Sequence, residues 1–114
     1  MFKVVDNPEF AADVKLRLPG GEEAEFRAKF RLIDTDAFDA QMAKLRTGGK
    51  EASAARDQLL GQIVCGWDGV VGADDKPVPF SQAKLSALAT HPWFSGPLLN
   101  TYLAEITGTA ARKN

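Results

Sequence analysis

A chain of 114 residues, of which 45% are hydrophobic and 25% charged, has the composition of one globular domain and not of a disordered protein. Fourteen basic and fifteen acidic side chains give a formal net charge of −1, so the overall charge favours neither nucleic acids nor anionic membranes. A single cysteine cannot form an intramolecular disulfide, and no apolar run approaches the roughly 18 residues of a membrane span or has the layout of a signal peptide. We therefore expect an intracellular protein.

Two alternating segments near the N-terminus predict a β-hairpin. Polar and apolar residues alternate over residues 13–18 and 25–32, and Pro19-Gly20-Gly21 supplies the backbone angles of a tight turn between them. The predicted inward face consists of Val14, Leu16, Leu18, Phe26, Ala28, Phe30 and Leu32. The predicted outward face carries Lys15, Arg17, Arg27, Lys29 and Arg31.

These five outward cations have three interpretations. They could form a solvated face that deters edge pairing, because lysine and arginine commonly protect exposed strands. They could instead contact an acidic partner, although Asp13, Glu23 and Glu25 would partly neutralise them. A small nucleic-acid-binding regulator is the third interpretation, and the balanced charge and the lack of an aromatic residue on that face argue against it.

After Ile33 the hydrophobic period lengthens, which predicts two helices. Asp34 or Thr35 would cap the first, whose apolar face would be Phe38, Met42 and Leu45, and Gly48-Gly49 would end it. The second would run from about Glu51 with Leu59, Ile63 and Trp67 on one stripe, flanked by Leu60 and Val64. Both Cys65 and Trp67 would then lie in the core, with Cys65 acting as a small hydrophobe.

The remaining sequence predicts two further helices. Ser81 is a candidate N-cap, and Phe80 and Leu85 have the spacing of a hydrophobic staple around it. The last helix would carry Phe94, Leu98, Tyr102 and Ile106 on one face and stop at Gly108.

The beginning of the last helix has two interpretations. Either Pro92 opens it and Pro97 kinks it, or Pro97 takes the first helical position behind a capping Ser95. The fold class is α+β, with an N-terminal hairpin followed by about four helices in a single domain over residues 1–108, and residues 109–114 would form a flexible tail.

The residues that carry chemistry are too few and too scattered for an active site. One histidine, His91, and one cysteine, Cys65, lie far apart, and the run from Asp68 to Asp75 lacks the ligand spacing of a calcium loop. The glycines at 66, 69 and 72 match no phosphate-binding fingerprint. We therefore predict no catalytic, metal or cofactor-binding residue, and no enzyme. Binding or assembly is the expected class of function.

The order of motifs resembles a known family. The hairpin ending Lys29-Phe-Arg-Leu32 is followed by Gly66-Trp-Asp-Gly-Val70, by Asp74-Asp-Lys-Pro-Val-Pro-Phe-Ser81, and by Pro97-Leu-Leu-Asn-Thr-Tyr-Leu103. This arrangement, over roughly residues 12 to 108, resembles the tail assembly chaperones of long, non-contractile-tailed bacteriophages and related prophages. Proline at position 97 departs from the small helix former of that pattern, which puts the beginning of the last helix in question.

The resemblance implies a noncatalytic protein that binds the tape measure protein, keeps it soluble, and helps to recruit tail tube subunits. It also implies self-association, a location in the cytoplasm of the bacterial host, and absence from the finished virion. The alternative is a tail-tube or connector subunit that is incorporated in the virion. The observation that motivates a binding surface is the number of apolar positions, which is larger than one core is expected to bury: Phe38, Met42, Leu59, Leu60, Ile63, Val64, Leu98, Leu99, Tyr102 and Leu103.

The resemblance further implies a longer form of the protein made by a −1 ribosomal frameshift. The chain ends Arg112-Lys113-Asn114, which the codons CGA or AGA, AAA and AAC would encode with the slippery sequence A AAA AAC. An ordinary polar tail is the alternative. An AAG codon for Lys113, or a closed −1 frame downstream, would exclude slippage at this position.

Overall fold

The computed structural model describes residues 8–108, in which a three-stranded sheet shares one core with helices. In chain order the elements are β1 (Glu9–Arg17), β2 (Glu23–Arg31), α1 (Thr35–Leu45), α2 (Gly49–Ile63), β3 (Val64–Asp68), α3 (Gln82–Ala89) and α4 (Pro92–Ile106). The strand order is β1-β2-β3, and both neighbouring pairs are antiparallel. The predicted α+β class and four helices are confirmed, and the sheet has one strand more than predicted. The tail predicted at 109–114 lies outside the described residues.

The hairpin forms where the alternation predicted it. Leu18 N–H donates to the Glu22 carbonyl (2.7 Å) and Gly21 N–H to the Leu18 carbonyl (3.0 Å), while Gly20 and Gly21 both take positive φ, 98° and 93°. Side chains at even positions of both strands form the inner face, which is buried along most of its length. The prediction for Leu32 was wrong: β2 ends at Arg31, and Leu32, past that end, is 39% exposed.

β3 replaces the predicted last turn of the second helix. The helix stops at Ile63, and Val64 is already extended, with φ −104° and ψ 122°. Ala28 pairs with Trp67, and Phe30 with Val64, across an irregular register between Lys29 and Phe30. The stripe of residues 59, 63 and 67 fits a helical period, but Val64 and Trp67 favour strands and Gly66 weakens a helix. Pairing with β2 decides the conformation.

α4 settles the question of where the last helix begins. The helix begins at Pro92, and Pro97 lies inside it. Of the two predicted beginnings, the one at Pro92 is therefore correct. Proline has no N–H to donate within the helix. Ser95 is not the cap; its hydroxyl donates to the His91 carbonyl at 3.3 Å. At the other end Thr107 follows the helix and Gly108 takes φ 76°, as the predicted stop requires.

Ser81 is the N-cap of α3, as predicted, because its hydroxyl oxygen accepts a hydrogen bond from Lys84 N–H at 3.1 Å. We expect Ser81→Ala to lower the free energy of unfolding by about 1 kcal/mol, since this N–H then loses its partner. Urea denaturation would measure the change. Ser53→Ala is the matched control, because Ser53 is exposed within α2 and alanine favours helix there. Equal effects of the two substitutions would contradict the assigned cap.

Candidate interaction surface

The outer face of the hairpin pairs its charges across the strands. The five predicted cations are all exposed, and the register places acidic residues opposite four of them: Glu9 with Arg31, Asp13 with Arg27, Glu25 with Lys15, and Glu23 with Arg17. Lys29 stands opposite Ala11, and Asp68 of β3 stands beside Arg27 on its other side. The face is therefore close to neutral and does not present the basic stripe typical of nucleic-acid-binding proteins.

One of these pairs closes into an ion pair. Within residues 8–108, the only such contact joins Arg27 Nη1 and Asp13 Oδ1 at 2.9 Å, and both side chains are more than half exposed. Exposed pairs of this kind contribute about 0–1 kcal/mol, so its main effect is to favour the β1–β2 register. The other charges of β1, Glu9, Lys15 and Arg17, keep their head groups available to solvent or to a partner.

Trp67 contacts the turn that follows β3, which carries Asp74 and Asp75 and is called the acidic turn below. Its indole Nε1 donates to the Val78 carbonyl at 2.8 Å, and its ring packs edge-on against Phe80 with centroids 5.0 Å apart. The prediction that Trp67 ends a helix was wrong, because it lies in β3. It is half-buried between the sheet and the turn.

The acidic turn itself is a small hairpin. Val78 N–H donates to the Val70 carbonyl (2.8 Å), Gly72 N–H to the Lys76 carbonyl (2.9 Å), and Lys76 N–H to Asp74 Oδ1 (3.1 Å). Asp75 takes φ 63°, which aspartate tolerates better than most residues. The Asp74 carboxylate thus shapes the backbone of the turn. No group of three metal-binding side chains lies together anywhere in residues 8–108.

Cys65 is half-buried on β3, and its Sγ donates to the Lys29 carbonyl at 3.5 Å. The sequence shows no cation beside it, but the fold brings Lys29 and Arg31 close. Burial, followed by the charge of Glu9, nevertheless raises the pKa of the Cys65 thiol above its ordinary value, and the two cations offset this only in part. The thiolate, which is the reactive form, is therefore disfavoured.

We expect Cys65 in the folded protein to react with iodoacetamide at pH 8 several-fold more slowly than a free thiol. The rate should rise with pH through a midpoint above that of free cysteine, because the folded environment favours the neutral thiol. Mass spectrometry of alkylated protein over time would measure it. The same chain in urea serves as the control and should react at the rate of a model thiol. Equal rates with and without urea would contradict the raised pKa.

His91 stands at the N-cap position of α4 without a side-chain cap bond. It is exposed, and its imidazole stacks on Trp93 with ring centroids 5.1 Å apart. Cys65 lies on β3, whereas His91 precedes α4, so the single thiol and the single imidazole of the chain lie on separate elements.

The apolar residues counted as surplus are mostly accommodated by the core. Six of the ten are buried: Leu59, Leu60, Ile63, Val64, Leu98 and Tyr102. The other four, Phe38, Met42, Leu99 and Leu103, are half-buried. The exposed large apolar side chains of residues 8–108 are instead Leu32, Val71 and Ile106. The excess of apolar surface that motivated a partner-binding face is thus much smaller than the sequence indicated.

A groove runs between β1 and α4 and opens onto the outer face of the sheet. Its volume is about 640 Å³. Its strand side includes Ala11, Asp13 and Lys15, and its helix side is lined by Pro97, Asn100, Thr101, Ala104 and Glu105. We call it the edge groove. No sequence pattern indicated this groove, because the predicted strand began at Asp13 and nothing in the sequence shows which strand lies beside the last helix.

None of the helices in residues 8–108 is long and apolar enough to cross a lipid bilayer.

Comparison with known proteins gives one match. The family model described as phage tail assembly chaperone matches residues 1–111, which is nearly the whole chain. No curated protein and no solved structure matches the chain.

Proposed function

Because this chain belongs to the phage tail assembly chaperone family, we propose that it is a non-enzymatic chaperone that binds the tape measure protein. In this role it keeps the tape measure protein soluble and helps to recruit tail tube subunits during tail morphogenesis. It acts in the cytoplasm of the host cell and does not remain in the mature virion. The family match over residues 1–111 is the observation that supports this proposal.

Two structural features agree with a binding role. The outer sheet face is nearly neutral, which favours a polypeptide partner over a nucleic acid. The edge groove offers a recess of about 640 Å³ between β1 and α4. Cys65 and His91 lie on separate elements, so they do not form a nucleophile–base pair.

Co-expression tests the proposal. The tape measure protein from the same genome, produced with this chain, should become more soluble and should co-purify with it. A tail tube protein from that genome should bind the complex more strongly than it binds this chain alone or the tape measure protein alone. An unrelated phage protein of similar length is the control for non-specific solubilisation. If the solubility is unchanged and no complex forms, the proposed function fails.

A tail-tube or connector subunit is the second candidate, and the open edge of β1 favours it, since such subunits add strands between protomers. Mass spectrometry of purified particles separates the two candidates. The chaperone should be absent from them, whereas a structural subunit should be present in many copies.

We also propose that the chain self-associates and is made with a longer, frameshifted form. The predicted slip at Arg112-Lys113-Asn114 lies outside the described residues. Sequencing the gene and detecting a longer product by mass spectrometry would test it.

A further inference from the structure

The outer edge of β1 carries backbone N–H and C=O groups that pair with no other backbone group among residues 8–108. Leu18 pairs with Glu22, and Leu32 N–H donates to the Pro8 carbonyl, so even-numbered residues of β1 direct their backbone groups toward β2. The backbone groups of the odd-numbered residues point the other way: Glu9, Ala11, Asp13, Lys15 and Arg17. In residues 8–108 no backbone group bonds to the outward groups of these five, and the Ala11 carbonyl accepts a hydrogen bond from the Arg27 side chain, whose Nη2 donates at 3.4 Å.

The edge groove lies beside this row of groups. α4 packs chiefly against β1, and Phe10 stacks on Tyr102 while Phe26 stacks on Phe94, so the helix runs antiparallel to β1. The flank of α4 next to the edge consists of half-buried residues with little bulk, Pro97, Thr101 and Ala104. A strand added at the usual spacing of about 4.8 Å from β1 would rest on this flank.

Side chains of opposite charge lie at the two ends of the β1 edge. Glu9 lies at one end, whereas Lys15 and Arg17 lie at the other. Asp13, between them, forms the ion pair with Arg27. The first residues of an added antiparallel strand would lie opposite Arg17 and Lys15, and its last residue opposite Glu9. Acidic side chains at its beginning and a basic side chain at its end, on every second residue, would therefore complement the charges of β1. Apolar side chains at the intervening positions would face α4.

We propose that the edge of β1 binds an extended segment of a partner polypeptide, which adds as a fourth, antiparallel strand above α4. The inference rests on the proposed function, in which the partner is the protein that this chaperone holds. It specifies the binding mode as strand addition, in which backbone bonds give affinity and alternate side chains give specificity.

A second copy of β1 fits this site less well. Two β1 strands paired about a two-fold axis would bring both α4 helices beneath the same interface, where helices need about 8–10 Å between axes. The register that pairs Glu9 with Arg17 would also place Asp13 opposite Asp13. The crowding of the two α4 helices and the pairing of like charges both disfavour a second copy. They favour a single extended segment of a partner that brings no sheet of its own.

The probe is a synthetic peptide with acetylated and amidated ends, Glu-Val-Glu-Val-Thr-Val-Ser-Val-Lys, which has the complementary order of charge. We expect the full-length protein to bind it, measured by fluorescence anisotropy. N-methylation at its third, fifth and seventh residues should weaken binding about tenfold or more, because these amides would face β1. N-methylation at the fourth and sixth residues is the matched control and should have little effect. The peptide with Glu and Lys exchanged should bind more weakly at low salt.

Hydrogen exchange locates the bound strand. On binding, the amides of the five odd-numbered residues of β1 should exchange about tenfold or more slowly. Ala11→Pro should abolish binding, because it removes one of these N–H groups at an edge position that tolerates proline, whereas Ala11→Val keeps the group and should bind normally. The N-methylated peptides test the same contact on the unaltered protein, should Ala11→Pro fail to fold.

Several results would overturn the inference. These are absence of peptide binding, equal binding of both N-methylated peptides, or slowed exchange confined to α4. If the free protein already protects these amides and is a dimer that Ala11→Pro dissociates, the occupant is a second copy. If it protects them as a monomer, part of its own chain occupies the edge. A tape measure complex that forms normally with Ala11→Pro would refute strand addition and leave the function standing. Peptide binding without a tape measure complex would refute the function alone.

Discussion

Tyr102→Ala is expected to lower the free energy of unfolding by about 3–5 kcal/mol, the typical cost of removing a large aromatic side chain from a core. Tyr102 is 1% exposed, and its ring contacts Phe10, Phe30 and Phe38 with centroids 5.5 to 6.0 Å away. It therefore joins β1, β2 and α1 to α4. Chemical denaturation followed by circular dichroism would measure the loss, and a domain of this size can be largely unfolded by it.

Tyr102→Phe removes the hydroxyl and keeps the ring, so it measures the contribution of the hydroxyl to stability alone. The hydroxyl oxygen accepts a long hydrogen bond from Ile33 N–H (3.4 Å), and burial raises the pKa of the phenol above its ordinary value. We expect a loss of about 1 kcal/mol or less, because the ring contacts remain and the bond is weak. Losses of similar size for the two substitutions would show that the ring contacts do not carry the stability attributed to them.

Trp67→Ala should have the second largest effect and lower the free energy of unfolding by about 2–4 kcal/mol. The Trp67 side chain, on β3, packs between Phe26 of β2 and Phe80 in the segment before α3. The acidic turn should loosen as well, because its tether to the Val78 carbonyl is lost. Amide exchange at Gly72 and Val78 should therefore quicken more than exchange in β1. Urea denaturation and exchange measured by nuclear magnetic resonance test the two parts.

Trp67→Phe is the graded variant and should cost about 1 kcal/mol, mainly the loss of the indole N–H bond. Trp93→Phe is the matched control, because Trp93 is half-buried and its ring stacks on the exposed His91. It should leave exchange at Gly72 and Val78 unchanged. Faster exchange in the turn for Trp93→Phe, or none for Trp67→Ala, would contradict the role given to Trp67.

The family resemblance depended on residues whose roles are mostly structural. Trp67, Asp74, Phe80 and Ser81 build a strand end, a turn and a helix cap, and the chain belongs to the family that their spacing indicated. No ligand is needed to explain any of these residues. The motif therefore builds part of the fold of this chain, and the candidate binding surface lies elsewhere, at β1 and α4.

Local periodicity in the sequence determined the hairpin, the cap at Ser81 and the apolar face of α4, because each depends on neighbours within a few residues. It misassigned Val64 to Trp67, since the stripe of residues 59, 63 and 67 fits a helix equally well and only pairing with β2, more than thirty residues earlier in the chain, favours a strand. The edge groove was likewise decided by tertiary structure alone. Which strand is left unpaired, and which helix flank lies beside it, depends on how distant elements pack, and no local pattern records that arrangement.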